Sequence, residues 1–444
     1  MKNKYNVIGY SFIVALGGFL FGLDTAVISG AEKSIQQIFQ LTDWWHGFTV
    51  AIALIGTVVG ALIAGWPSEK YGRKKVLIAI AVLYGFSALG CALAPNWTIL
   101  VIARFLGGIG IGASSVIGPM YIAEIAPAKM RGRLVALFQF NVVTGILIAF
   151  LSNYLLAGVG DNSWRWMLGI VAIPSFAFFG LLFIIPDSPR WLVKYKRTDD
   201  ARKVLVRCGR TEVESELAEI EESLHLHSVS PAEKLFSAKY SKPILYAVLL
   251  AAFNQLSGIN AIMYYAPRIF EMTGLAANAS LLQSVMIGAT NLIFTILAMF
   301  IIDKFGRRTL LIIGSFGMVV FLGLVARAFY LQSFDSSSVM WYLVGYIAFF
   351  AFSQGAVIWV FISEIFPNTV RSKGQTLGSF THWLGAATIS WTFPVAANSP
   401  LIGGGNAFMF FSVMMLLHLI FAWKVIPETK GKSLEEIQKS LGIN

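Results

Sequence analysis

Glu69-Lys70-Tyr71-Gly72-Arg73-Lys74-Lys75 reads EKYGRKK, and Asp303-Lys304-Phe305-Gly306-Arg307-Arg308-Thr309 reads DKFGRRT. Each is a short charged turn directly after a long apolar run. Two more stretches repeat at a similar distance. EIAPAKMR at 124–131 answers EIFPNTVR at 364–371, with Glu, Pro and Arg in the same register. PDSPR at 186–190 answers PETKG at 427–431 more loosely. The offsets fall between about 234 and 241 residues, which marks duplication of one large unit.

The unit that is duplicated spans a membrane. Of the 444 residues 57% are hydrophobic and 13% charged, whereas a soluble domain carries roughly a quarter of its residues charged. Apolar runs fall near 7–29, 46–66, 76–94, 98–122, 134–158 and 165–186. A second set falls near 243–270, 280–302, 309–331, 340–363, 374–397 and 406–426. Each approaches the ~20 residues a helix needs to cross hydrocarbon. The predicted fold is all-α and polytopic, with twelve transmembrane helices in two six-helix bundles. The expected divisions are 1–186 for the first bundle, 187–242 for a cytoplasmic helical linker, 243–427 for the second bundle and 428–444 for a short tail. In the linker, Leu217, Ile220 and Leu224 at helical spacing predict an amphipathic helix outside the bilayer. Parallel six-helix halves with a site between them form a transporter architecture.

Charge sets the orientation. Lys70, Arg73, Lys74 and Lys75 follow the second span, and Lys129, Arg131 and Arg133 follow the fourth. Lys304, Arg307 and Arg308 follow the eighth, and Arg371 and Lys373 the tenth. The loops near 94–98 and 397–406 carry no Lys or Arg. The positive-inside rule then predicts both termini and the linker in the cytoplasm, with an inner (plasma) membrane as host. The first span is expected to be retained, since no small-residue cleavage site follows Lys2 and Lys4. The net charge of +11 belongs to these loops, so no nucleic-acid partner is expected. Cys91 and Cys208 lie in segments of different character and predict no disulfide. His225 and His227 read as a solvated pair rather than a metal site. Glycine-rich GGIGIGAS at 107–114 lacks the Lys-Ser/Thr of a phosphate loop and reads as helix packing. With no converging catalytic set, neither an enzyme nor a cofactor is expected.

With these stretches in order, the chain resembles a sugar porter of the major facilitator superfamily. The likeness rests on Gly65-x-x-x-Glu69-Lys70-x-Gly72-Arg73-Lys74-Lys75 and its echo at 303–308, Arg104, and PMYIAEIAPAKMRGR at 119–133. PDSPR, NQLSGINAIMYYAP at 254–267 and VIPETKG at 425–431 complete it. Gly65 is expected to let neighbouring helices approach closely. Glu69, Arg73, Glu124, Arg131, Arg190, Asp303, Arg307, Glu364 and Arg371 form an expected cytoplasmic gating network of ion pairs and helix-dipole contacts. A role in topology alone is the plain alternative.

A sugar offers hydroxyls that donate and accept and mildly apolar C–H faces, so its site wants amides and aromatic rings. Amides are costly in hydrocarbon, yet Gln139, Asn254, Gln255, Asn260 and Asn291 lie in spans. Gln255 and Asn260 bracket Ser257-Gly258, where the helix can loosen. The resemblance implies sugar contacts at Gln139, Gln255, Asn260, Asn291, Trp359 and Trp383, with Phe21 and Tyr264 nearby. Interhelical hydrogen bonding or packing remains open for each. Asn254 departs from the family's first of two glutamines, His382 from a frequent Asn or Gln, and SQGAVIW at 353–359 lacks the proline after Gly355. Those departures bear on substrate identity and on the bend of the tenth span. Glu69 and Met299 depart from a common Asp and Gly without consequence for the fold.

Asp24, in GGFLFGLDTAVI at 17–28, is an acid inside an apolar run. Insertion scales set a charge there at about 2.5–3.5 kcal/mol. Arg104 in the fourth span is its best partner by sequence. Pairing favours the ionised acid and desolvation the neutral one, a balance suited to taking and giving a proton. The resemblance implies that Asp24 and Arg104 couple sugar to proton movement; a fixed structural ion pair is the alternative. Phe21 is expected toward the sugar, and the nearby glycines to ease helix contact.

The expected function is monosaccharide import, of a hexose or pentose, by proton symport through alternating access. A proton-independent facilitator is the runner-up, followed by a polyol or inositol transporter and a sugar sensor. Sugar, proton and lipid bilayer are the expected partners, with no obligate protein partner.

Overall fold

A computed structural model describes residues 2–229, 233–334, 337–367, 369–432 and 434–443, with side chains from residue 6 onward and excluding 226–229, 434 and 435. Parts of the predicted linker and tail, and the His227 side chain, therefore lie outside what is described. Among the described residues the chain is helical without strands. In chain order, α1 is Lys2–Ile38, α2 Asp43–Ile63, α3 Gly65–Tyr71, α4 Arg73–Ala92, α5 Trp97–Ile125 and α6 Ala128–Leu156. Then come α7 Ser163–Gly169, α8 Ala172–Leu181, α9 Pro189–Lys194, α10 Thr198–Arg207 and α11 Val213–Val229. The rest are α12 Ser241–Leu256, α13 Ile259–Glu271, α14 Ala277–Phe305, α15 Arg307–Leu331, α16 Ser338–Phe352, α17 Gln354–Ile365, α18 Arg371–Asn398, α19 Gly403–Lys424 and α20 Leu434–Leu441.

Among the described residues, eleven segments are long and apolar enough to cross a membrane. The one predicted span outside these is the eleventh, α18, whose 28 residues are ample in length at 1.5 Å rise per residue. Its Thr, Ser, His and Gln side chains dilute its apolar character. Three predicted spans are broken helices: α7 with α8, α12 with α13, and α16 with α17. The first span runs to Ile38, nine residues past its expected end, because the polar segment after Ile28 continues the helix.

Two compact units emerge. One gathers residues 1–25, 56–146 and 168–232; the other gathers 26–55, 147–167 and 233–444. In the first, α1 and α6 meet backbone to backbone. A Cβ at Gly22 would lie 1.9 Å from the Val142 carbonyl oxygen, and one at Gly145 2.2 Å from that of Phe19. Gly112 of GGIGIGAS does the same for α2 and α5: a Cβ there would lie 2.1 Å from the Thr57 carbonyl oxygen. The packing reading of both stretches holds. Gly65 does not, because a Cβ there would meet nothing within 4 Å; it starts the short helix α3 in open space.

The repeated turns have one geometry. Gly72 lies between α3 and α4 at φ +92°, and Gly306 between α14 and α15 at φ +88°, a region that favours glycine. PDSPR has a local meaning too. Ser188 caps α9 by accepting from the Trp191 amide, with Pro189 in the first turn. Trp191 then lies over Gly72, about 3.1 Å from where a Cβ would be.

Candidate functional site

The first unit holds the buried acid. Asp24 on α1 and Arg104 on α5 are 6% and 1% exposed, and the guanidinium is close enough for its charge to act on the carboxyl. No ion pair or hydrogen bond joins the two, and Arg104 Nε and Nη2 are buried without a hydrogen-bond partner among the described residues. Ser87 and Gly107 complete the pocket: a Cβ at Gly107 would lie 3.6 Å from Asp24 Oδ2 and 2.3 Å from Ser87 Oγ. Glycine at 107 thus leaves room for Ser87, while toward the acid a Cβ would make only ordinary contact. The arrangement is a buried carboxyl near a buried cation, without a bond locking them. Phe21 is half-buried on α1, and Gln139 is exposed on α6 of the same unit.

The second unit gathers the amides at two helix breaks. Gly258, in the left-handed region at φ +83°, separates α12 from α13, where Ser257-Gly258 was expected to loosen. Gln255 Nε2 donates to Asn254 Oδ1 at 2.9 Å, and Asn260 Nδ2 donates to Gln255 Oε1 at 2.6 Å. Gln255 Nε2 also lies 3.1 Å from a ring nitrogen of His382. Gly385 lets α18 come this close, since a Cβ there would sit 3.0 Å from Gln255 Cβ. The His382 ring lies 4.8 Å from that of Trp359 and 4.8 Å from that of Trp383. Amides and rings therefore converge, the donor, acceptor and apolar mixture that a sugar calls for. Tyr264 is buried on α13 and Asn291 on α14; no hydrogen bond joins Asn291 to the amides. Gly355 lies in the first turn of α17.

The tenth predicted span bends without its proline. Ser353, at φ −113° and ψ −95°, separates α16 from α17. The broken backbones serve one another: Tyr346 Oη donates to the Ser257 carbonyl at 3.0 Å, and Asn254 Nδ2 to that of Gln354 at 3.4 Å.

The charged turns pair within each repeat. In the first, Arg73 Nη2 lies 2.9 Å from Glu124 Oε1; in the second, Arg307 Nη2 lies 2.8 Å from Glu364 Oε1 and Nη1 2.9 Å from Asp303 Oδ1. Glu69 pairs with Lys194 at 2.6 Å. The Lys194 hydrogen bond holds the Glu69 carboxyl below its ordinary range, against partial burial and with help from the Lys194, Arg73 and Arg190 charges. Arg371 donates to the Phe366 carbonyl. Arg131, Arg190 and Arg371 enter no ion pair among the described residues.

Sequence reasoning missed several members. Glu428 of PETKG accepts from the Arg307 and Arg308 amides at 3.0 and 3.1 Å, an anion at the first turn of α15. Thr429 donates to Glu364 Oε2 at 2.6 Å. The loose match of PETKG to PDSPR was the available signal. At the other end of the second unit, Arg268 Nε lies 3.0 Å from Glu32 Oε1, and the same guanidinium donates to Gln36. His46 Nε2 is 2.5 Å from Glu32 Oε2, at an angle outside hydrogen-bond geometry. Lys33 pairs with Glu271, and Trp391 Nε1 donates to the Trp44 carbonyl at 3.1 Å. Among the described residues no three metal-ligating side chains come together.

Duplicated charged turns, broken helices bearing amides and a buried acid define a polytopic secondary transporter. The family of sugar (and other) transporters matches residues 10–441. This chain belongs to that family, which consists of transporters and not enzymes, and its all-helical fold is that of the major facilitator superfamily. It is 38% identical to the arabinose-proton symporter of Bacillus subtilis over 98% of this chain and 94% of that one. It is 37% identical to the D-xylose-proton symporter of Escherichia coli, covering 99% and 97%. An inward-open structure of the E. coli xylose transporter XylE is similar at a TM-score of 0.86 and 36% identity, over 98% of this chain and 99% of that one.

Proposed function

We propose that this membrane protein imports a monosaccharide, hexose or pentose, by proton symport through alternating access. The observation that carries the reading is the convergence of Gln255, Asn260, His382, Trp359 and Trp383 at the break between α12 and α13. It is supported by relatives whose names are arabinose-proton and D-xylose-proton symporter. The sugar binds at that cluster, with Gln139 and Asn291 contributing as the resemblance implies, Phe21 and Tyr264 nearby, and Asn254 and the proline-free stretch after Gly355 as this chain's own departures at the site. Asp24 carries the proton, and Arg104 tunes it: with no bond locking the two, the carboxyl is free to change charge. Gln255 and Asn260 exchange their mutual hydrogen bond for bonds to sugar hydroxyls, while the rings stack on C–H faces. The Arg73–Glu124 and Arg307–Glu364 pairs are the cytoplasmic gating network. Both termini are cytoplasmic by the Lys/Arg loop pattern, and the chain divides functionally into 1–186 and 243–427. Only sugar and proton are required as partners.

Uptake of D-xylose, L-arabinose and D-galactose into proteoliposomes, with and without an inward proton gradient, tests this reading. Gradient-driven accumulation abolished by a protonophore is expected. Asp24→Asn abolishes accumulation and keeps sugar counterflow. Accumulation by that variant at the wild-type level defeats the coupling role, and accumulation indifferent to the protonophore makes the protein a facilitator.

A further inference from the structure

The second unit contains a buried polar cluster that the function above does not use. His418, in the apolar helix α19, is fully buried. Its Nδ1 lies 3.0 Å from Gln354 Nε2 and 2.6 Å from Ser315 Oγ. Gln354 Nε2 also reaches Met415 Sδ at 3.3 Å. A bare Nδ1 accepts from the Gln354 amide, and the single Ser315 proton is divided between Nδ1 and the Leu311 carbonyl, 2.6 Å away. Gln354 is the first residue of α17, directly after the bend at Ser353. Its carbonyl accepts from Asn254 Nδ2, and Asn254 Oδ1 in turn accepts from Gln255. A continuous run of contacts thus leads from α19, through the bend, to the amides at the break of α12.

We propose that His418 is a positioning residue: its Nδ1 anchors Gln354, holds the proline-free bend between α16 and α17, and through Asn254 aims Gln255. The proposal rests on the reading of the Gln255 cluster as the sugar site. Its physical logic is that an unpaired amide inside a membrane protein is costly. Gln354 therefore takes the geometry in which an acceptor meets its NH₂ group, while its Oε1 and His418 Nε2 stay buried without a hydrogen-bond partner among the described residues, and the bend follows. A proline sets such a bend through covalent geometry. Here a hydrogen bond from a third helix sets it.

The test is equilibrium binding of D-xylose, L-arabinose and D-galactose to the purified full-length protein, with folding followed by thermal melting. His418→Phe fills the space without an acceptor and is expected to weaken binding roughly tenfold, about 1.4 kcal/mol. His418→Asn, whose Oδ1 stands near the place of Nδ1, is expected to bind within threefold of wild type. Gln354→Met removes the same bond from the other side and is expected to match His418→Phe, which keeps the test alive if the latter does not fold. His418→Phe in a Gln255→Ala background should add little, because the target of the positioning is gone. Wild-type affinity in a folded His418→Phe or Gln354→Met protein overturns the proposal, as does equal loss in His418→Asn and His418→Phe. If Gln255→Ala weakens binding while His418→Phe does not, the positioning role alone fails. Wild-type affinity in Gln255→Ala instead removes the sugar site and the proposal with it.

Discussion

At the scale of single residues, close backbone contact makes the glycines of α1 and α6 testable. A Cβ at Gly22 would fall 1.9 Å from a carbonyl oxygen, which no rotamer change relieves. Gly22→Ala is expected to cost on the order of 2–3 kcal/mol, as overpacking does when backbone must shift. Gly65→Ala is the control and should melt within a degree or two of wild type, since its Cβ would meet open space. Melting in detergent, read side by side, checks both. Asp24 and Arg104 were legible in sequence because charges stand out in apolar runs. A lone imidazole in the last span was an equally visible signal for His418, but its partners Gln354 and Ser315 lie 64 and 103 positions away. No local pattern selects them from the other polar side chains of the spans.

At the scale of elements, α1, α2 and α13 are joined by Glu32, His46 and Arg268. Glu32 is 1% exposed, so removing its cation leaves a buried charge. Arg268→Ala is expected to cost about 3–5 kcal/mol. Glu32→Gln in the same background should recover part of the loss, read as a double-mutant cycle in melting temperature. This cluster was not legible, because charges near span ends are common and carry no sign of burial. The pair of Glu69 on α3 with Lys194 on α9 is solvent-exposed and behaves differently. The carboxyl is lowered chiefly by the Lys194 hydrogen bond. Its contribution is full above the ordinary carboxyl value of 4.5 and is lost as pH falls through the lowered one. An exposed pair contributes about 1 kcal/mol or less. Glu69→Gln should therefore melt slightly below wild type at pH 7, and the difference should close as pH falls below 4.5 and on through the lowered value. A difference that grows on acidification contradicts the assignment.

At the scale of the whole molecule, the repeat is physical as well as textual. Each copy has a positive-φ glycine between two helices, followed by an arginine that reaches a glutamate more than fifty residues on. Hydropathy, the repeat and the charge of the loops are sums over local sequence. By itself the sequence therefore determined that the chain is helical, membrane-spanning and duplicated, and that an acid lies within the first span. The tertiary structure decided which side chains meet. It grouped 26–55 and 147–167 with the second half of the chain, exchanged proline for a histidine-held bend, and left Asp24 beside Arg104 without a bond. Local composition sets where a segment can be stable, in lipid or in water. The partner of a buried polar group is chosen by the packing of distant helices, where several amides and charges of similar chemistry compete and geometry alone selects among them.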